Sequence, residues 1–206
     1  MAHIPDGILS APVLVGGGVI AAAGVVLALR RLDDRLIPRA AILSAVVFAG
    51  SLIAVPVGPS SVHVLLSGLL GIMLGISTFA AVLVVLLLQV LLFGFGGFTT
   101  LGVNTVNIAL PGVVFAALLG PMIRRSARPL VRALLAGAVG ALSVLGTGAL
   151  VALSLALSSS EYTVVASVLI ATYLPLAFGE ALVTAAIVTF LARVQPSALS
   201  PVATPS

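Results

Sequence analysis

"VHVLLSGLLGIMLGISTFAAVLVVLLLQVLLFGFG", residues 62–96, runs for 35 residues without an arginine or an acid. As one helix it would be roughly 50 Å long, well beyond the ~30 Å hydrocarbon core of a bilayer. The stretch therefore predicts two short spans, divided near Gly75-Ile76-Ser77. That division sets the parity of the whole chain, and with it the side on which each loop emerges.

The rest of the sequence fits a membrane setting. Of 206 residues, 61% are hydrophobic and 7% charged, more apolar surface than a soluble domain carries. The net charge of +4 comes from nine arginines and no lysine. Clusters beside apolar runs orient helices and are poor evidence for nucleic-acid binding, so no nucleic-acid partner is expected. The absence of cysteine excludes disulfides, thiolate metal sites and thiol nucleophiles. Nothing basic precedes the first apolar run, which argues against a cleaved signal peptide.

Further spans are predicted at 11–29, 40–57, 103–123, 129–157 and 163–193, the last with a kink or a short extra helix at Pro175. Together these give an all-α integral membrane protein, a bundle of about seven transmembrane helices. Arginines 30–39, 124–132 and 193 mark the cytoplasmic side. The amino terminus is then outside and the carboxyl terminus cytoplasmic, in a multi-pass protein of the cell inner or plasma membrane. Residues 1–195 read as one transmembrane substrate-binding domain and 196–206 as a disordered cytoplasmic tail. Small residues spaced by four (Ser67, Gly71, Gly75; Ala133, Gly137, Ala141) predict close helix packing inside the bundle.

The topology places both histidines, His3 and His63, on the outer side. An imidazole next to a free amine suits nickel(II), copper(II) and cobalt ions, and the first two accept square-planar geometry. Two processing states give different donor sets. With Met1 retained, the amine, two amides and the His3 ring supply four nitrogens without His63. With Met1 removed, the Ala2 amine, the His3 amide and the His3 ring supply three, and His63 completes the square. The small Ala2 permits removal, which favours the second state. Pro5 and the "PDG" turn fix the direction of the chain beyond the chelate. A bis-imidazole haem fits poorly, because His3 precedes Pro5 and does not project from a helix.

These residues resemble a known family. "HIPDG", "SVHVLLSGLLGIMLG", "LLQVLLFGFGGFTTLGVNTVNIAL" and "YLPLAFGEALVTA" are similar, in order, to CbiM/NikM-type subunits. Those are the substrate-capture (S) components of energy-coupling-factor (ECF) ABC importers. The resemblance covers about residues 1–195. It implies capture of Ni2+ or Co2+, the latter serving cobalamin biosynthesis, by the terminal amine (Ala2, or Met1 if not processed), His3 and His63. It also implies partners: a transmembrane coupling subunit, cytoplasmic ATPase subunits and often a small accessory membrane protein. No cofactor is implied beyond the transported ion. Three departures stand out: Ala2 displaces the histidine by one place, Phe95 replaces a frequent Asp, and Ile108 a frequent Met. With no lysine there is no phosphate-binding Gly-Lys-Ser/Thr loop, so ATP energy must come from another polypeptide.

Other polar residues are candidates near the site. Asn104 and Asn107 follow the glycine-rich loop containing Gly97 and Gly102. They are read as orienting His63 or holding that loop closed, or else as caps and interhelical hydrogen bonds. Gln89 is expected to bridge helices. Glu180 is an intramembrane acid and a functional candidate of unknown role. It supports one alternative, a proton-coupled secondary transporter, although no internal repeat of the kind such folds show is evident. An intramembrane metal-dependent enzyme would need a general base beside the metal; no His-Glu-x-x-His motif or Asp pair is present, so no enzyme is expected.

Overall fold

The structure, a computed structural model, describes the backbone of residues 3–52, 55–57 and 60–199, and the side chains there except in 55–57, 60–62 and 163–171. In chain order the elements are α1 (Ala11–Arg31), α2 (Leu36–Ser51), β1 (Val55–Val57), β2 (Ser60–Val62), α3 (Ser67–Leu74), α4 (Thr78–Phe93), α5 (Leu101–Arg125), α6 (Pro129–Ser158) and α7 (Thr163–Val194). Prolines open α1 and α6, where a missing N–H costs nothing and φ is already helical. Arginines close α1 and α5, matching the negative helix end.

Apolar residues cover the outside and small polar ones fill the inside. Val15, Leu118, Leu130, Leu157, Phe178 and Phe190 are exposed, while Thr78, Thr105, Ser143, Thr147 and Thr184 are fully buried. In water that surface would aggregate; in lipid it costs nothing, and buried hydroxyls bond across or along helices. Ser143 and Thr147 each donate to the carbonyl four residues earlier. Five described helical stretches are long and apolar enough to cross a membrane, and α2 is a shorter apolar helix.

A break at the expected place inside 62–96 is present, although α3, with 8 residues, is too short to be the full span expected there. Gly75 adopts φ +56, which a glycine tolerates and which ends α3; a 3₁₀ turn, Gly75–Ser77, leads into α4. The chain reverses there. From Ser67 to Gly71, α3 moves along α5 from Gly112 toward Ala116, so close that a Cβ at Gly71 would collide with the Gly112 carbonyl. After the turn, Ser77 packs at Ala28 and Phe79 at Gly24 of α1, and by Gln89 the chain is back beside His3. Gly137 likewise lets α6 approach Ala181 of α7. Of the six small residues, Gly75 has open space around it and serves the turn instead.

Four expectations need correction. The span 40–57 ends as a helix at Ser51, whose hydroxyl donates to the Phe48 carbonyl at 2.7 Å, a bond that competes with the helix ladder. Residues 55–57 instead pair antiparallel with 60–62, Val55 opposite Val62; Pro56 lacks an N–H and biases the preceding valine to extended backbone. The first half of 62–96 is helical only from Ser67, because residues 60–62 belong to β2. No separate short helix forms at Pro175, which lies within the continuous α7. Finally, the tail is ordered as far as Leu199. Pro196–Leu199 form a 3₁₀ turn with Ala198 and Leu199 buried, and the Arg39 guanidinium donates to the Ala198 carbonyl at 3.2 Å and to Ser197. Residues 200–206 lie outside the described residues.

Candidate metal centre

The described chain starts at His3, and an extended segment carries it into the bundle. Asn104 of α5 holds that segment by mimicking a neighbouring strand. Its Oδ1 accepts the Ile4 N–H at 3.0 Å and its Nδ2 donates to the Ile4 carbonyl at 3.0 Å. The Thr100 hydroxyl donates to the same carbonyl at 2.7 Å. Both polar backbone atoms of a buried residue are thereby satisfied. Ile4 and Leu9 pack with Val103, Val151 and Leu155 in a small apolar cluster, and the Ser10 N–H donates to the Ser158 hydroxyl.

Asp6 ties the same segment to the loop before α5. Its carboxylate accepts the backbone N–H groups of Phe98, Thr99 and Thr100 and the Thr99 hydroxyl at 2.5 Å. It acts as a cap supplied from a distance, placing a negative charge at the positive end of α5. The Thr99 hydroxyl and these amides hold the Asp6 carboxyl below the usual carboxylate range. Gly97 is required beneath it, since a Cβ there would collide with the carboxylate.

His3 and His63 meet at this end. Their rings stack with centroids 5.1 Å apart and planes 19° from parallel. His3 is 6% exposed, and neither of its ring nitrogens has a hydrogen-bond partner. The His63 Nδ1 lies 3.2 Å from the Val64 carbonyl, while its buried Nε2 is unpartnered. A carbonyl only accepts, so Nδ1 carries the proton and the Nε2 lone pair is free. Burial, with His63 alongside, pushes the His3 ring down to about 3. Burial also lowers His63, against the opposing effect of the Val64 carbonyl. Both imidazoles are thus neutral at pH 7, the form that donates to a metal.

A cavity of about 20 Å³ adjoins the pair, room for about one water-sized occupant. Ser51, Val82, Gln89 and Ile108 are among its lining residues. Gln89 does bridge helices, donating from Nε2 to the Ser51 hydroxyl at 2.5 Å. Its buried Oε1, however, has no partner, and the sequence reading had not placed it in the cavity. Ile108, at a departure from the family pattern, forms part of the same wall, whereas Phe95 stacks on Phe93 at 5.8 Å.

Other candidates are placed elsewhere. Asn107 bonds Ser154 of α6 at 3.4 Å, the interhelical role, while Asn104 bonds the Ile4 backbone and so holds the His3 segment rather than contacting His63. Gly102 is not a loop residue; it stands in the first turn of α5, where a Cβ would meet Gly18 of α1 at 2.7 Å. Glu180 is fully buried and bonded to backbone N–H groups of Leu65 and Leu66. Among the described residues no group of three or more His, Cys, Asp or Glu side chains converges. Two imidazoles therefore need backbone or terminal nitrogens to complete a four-donor site. Met1 and Ala2, which would carry the amine, lie outside the described residues.

Residues 3–198 match the sequence profile described as the cobalt uptake substrate-specific transmembrane region, CbiM. The chain belongs to the CbiM family. It is 34% identical over 199 residues to a putative metal transport protein of Haemophilus influenzae, covering 96% of this chain and 97% of that one. It is 33% identical over 171 residues to the cobalt transport protein CbiM of Sorangium cellulosum, covering 79% and 76%. A crystal structure of a transition metal transporter shares the fold, with a TM-score of 0.79 at 24% identity over 93% of each chain. The CbiM/NikM-type resemblance is thus confirmed. The protein is a multi-pass membrane protein for metal transport rather than an enzyme.

Proposed function

We propose that this CbiM-family protein captures Ni2+ or Co2+ between His3 and His63 and delivers it to an ATP-driven importer. The observation that carries the reading is the stacked imidazole pair, buried, neutral and with three ring nitrogens lacking partners. Buried polar groups are nearly always satisfied; of the three left open at one small cavity, one on each neutral ring offers a lone pair to a metal. Imidazole suits both metals, so the donor set leaves their choice open. The His3 amide and Nδ1 close a chelate ring, the Ala2 amine adds a third nitrogen, and His63 Nε2 supplies the fourth.

In this reading residues 1–195 form one substrate-binding unit, with the histidine end outward and the arginine end cytoplasmic. Its partners are a transmembrane coupling subunit, cytoplasmic ATPase subunits and a small accessory membrane protein, since the chain has no phosphate loop of its own. The proton-coupled alternative loses its main support, because the Glu180 carboxylate is occupied by backbone donors.

The test compares untagged, amino-terminally extended and carboxyl-terminally tagged protein for nickel and cobalt affinity, with the mature terminus fixed by intact mass. The extended form is expected to lose tight binding and the carboxyl-tagged form to keep it, with the untagged chain starting at Ala2. Equal affinity in the extended form would show that the amine is not a ligand.

A further inference from the structure

We infer that Glu180 is a positioning residue for His63: its carboxylate clamps the backbone just beyond the histidine and so sets where that imidazole stands. The inference rests on the capture reading above. The segment it clamps has no regular structure of its own. After β2, residues 63–66 form neither helix nor strand, and α3 begins only at Ser67. That start lies inside the bundle, against Gly112 near the middle of α5.

A helix that starts in an apolar interior leaves its first N–H groups with no water to receive them. Glu180 answers this from α7. One carboxylate oxygen accepts the N–H of Leu65 and that of Leu66 at 2.9 Å, and the other accepts Leu66 again at 3.1 Å. Leu66 precedes the helix in the left-handed region at φ 51, ψ 19, a conformation that a leucine does not adopt without support. The Glu180 oxygens supply that support by accepting the Leu65 and Leu66 N–H groups. Packing fixes the arm: Glu180 is fully buried, and its own backbone carbonyl lies where a Cβ on Gly140 of α6 would meet it at 2.7 Å.

His63 is two residues before the clamped amide. Its own interactions cannot fix it, because its one hydrogen bond is to the adjacent Val64 carbonyl. With Leu65 and Leu66 held, few backbone torsions remain between the clamp and the imidazole. The ring is thereby kept facing His3. Glu180 does this without touching the metal site, as outer partners of metal ligands do.

Three variants of the full chain test the assignment, purified in micelles and titrated with Ni2+. Glu180→Leu removes the acceptors, Glu180→Asp withdraws them by one methylene, and Glu180→Gln keeps one carbonyl oxygen at full reach. The Leu and Asp variants should lose about 10- to 100-fold in affinity, the range for outer-shell partners, and Gln should restore most of it. The visible absorption of bound Ni2+ should change with the Leu and Asp variants, as a loosened fourth nitrogen alters the planar field. A thermal melt establishes which variants fold; if the Leu variant does not, the Asp variant decides alone. Wild-type affinity and spectrum in folded Glu180→Asp overturn the inference. His3→Ala and His63→Ala run alongside, and unchanged binding there overturns the capture reading itself.

Discussion

Two buried polar groups, the histidine pair and Glu180, differ in one respect. The imidazoles of His3 and His63 have three ring nitrogens without partners, whereas the carboxylate of Glu180 has both oxygens engaged. Both are costly placements in an apolar protein. The satisfied one holds backbone together; the unsatisfied one makes sense when a ligand arrives. The sequence marks both, the histidines as metal ligands and Glu180 as an intramembrane acid of unknown role. Hydrogen-bond accounting gives that acid a structural partner and leaves the imidazoles without one.

The largest effect that sharpens the contrast is expected from His63→Ala. Losing one donor of four should weaken Ni2+ and Co2+ binding by more than the ~100-fold upper range for outer-shell partners. The melting temperature should stay near wild type, because the imidazole makes little of the packing. Titration calorimetry with a parallel melt reads both, and unchanged affinity breaks the comparison by making the pair another structural group.

Asn104→Ala should come next, with the opposite signature. It strands the Ile4 N–H and one acceptor contact in a buried place, at about 1–3 kcal/mol of stability. Metal affinity should fall by about 10- to 100-fold as the His3 segment loosens. A drop in affinity without a drop in the melt would mean that Asn104 touches the ligand after all.

The smallest effect is expected from acid. Ordinary imidazoles would make binding steep near pH 6.5. In the folded protein His3 is pushed down to about 3 by burial, so the ring has no proton to lose between pH 5.5 and 7.5. Any slope there belongs to the amine, the amide and His63, not to the His3 ring. The sign for stability follows: the unfolded ring takes a proton near pH 6.5 and the folded one near 3. Docking of the segment is therefore fully favoured above about 6.5 and weakens as pH falls toward 3. Imidazole proton signals followed by NMR across that range check both statements.

Much of this was legible in the sequence, for physical reasons. The reversal at Gly75 and the shared end of the two histidines follow from bilayer thickness and arginine placement, which are local or global constraints. The early stop of α2 was partly readable, since Pro56 announces it. What could not be read were pairings between distant residues. Nothing in "GEALV" names Leu65 and Leu66 as the partners of Glu180, and nothing near Asn104 names Ile4. The tail reads as disordered because it is rich in proline, serine and threonine, whereas Ala198 and Leu199 are buried and Arg39 holds the Ser197 and Ala198 carbonyls.

The strapping of residues 4–10 to Thr100, Asn104 and Ser158 also has a consequence in time. The contacts of Ile4 span 100 residues and that of Ser10 spans 148. At roughly 5–20 residues per second of synthesis, this segment waits on the order of 5–30 s for its partners to be translated. Until Asn104 and then Ser158 have been made, none of these bonds can hold His3 in place. Seating of the histidine segment is therefore a late step of assembly, after α5 and most of α6 exist.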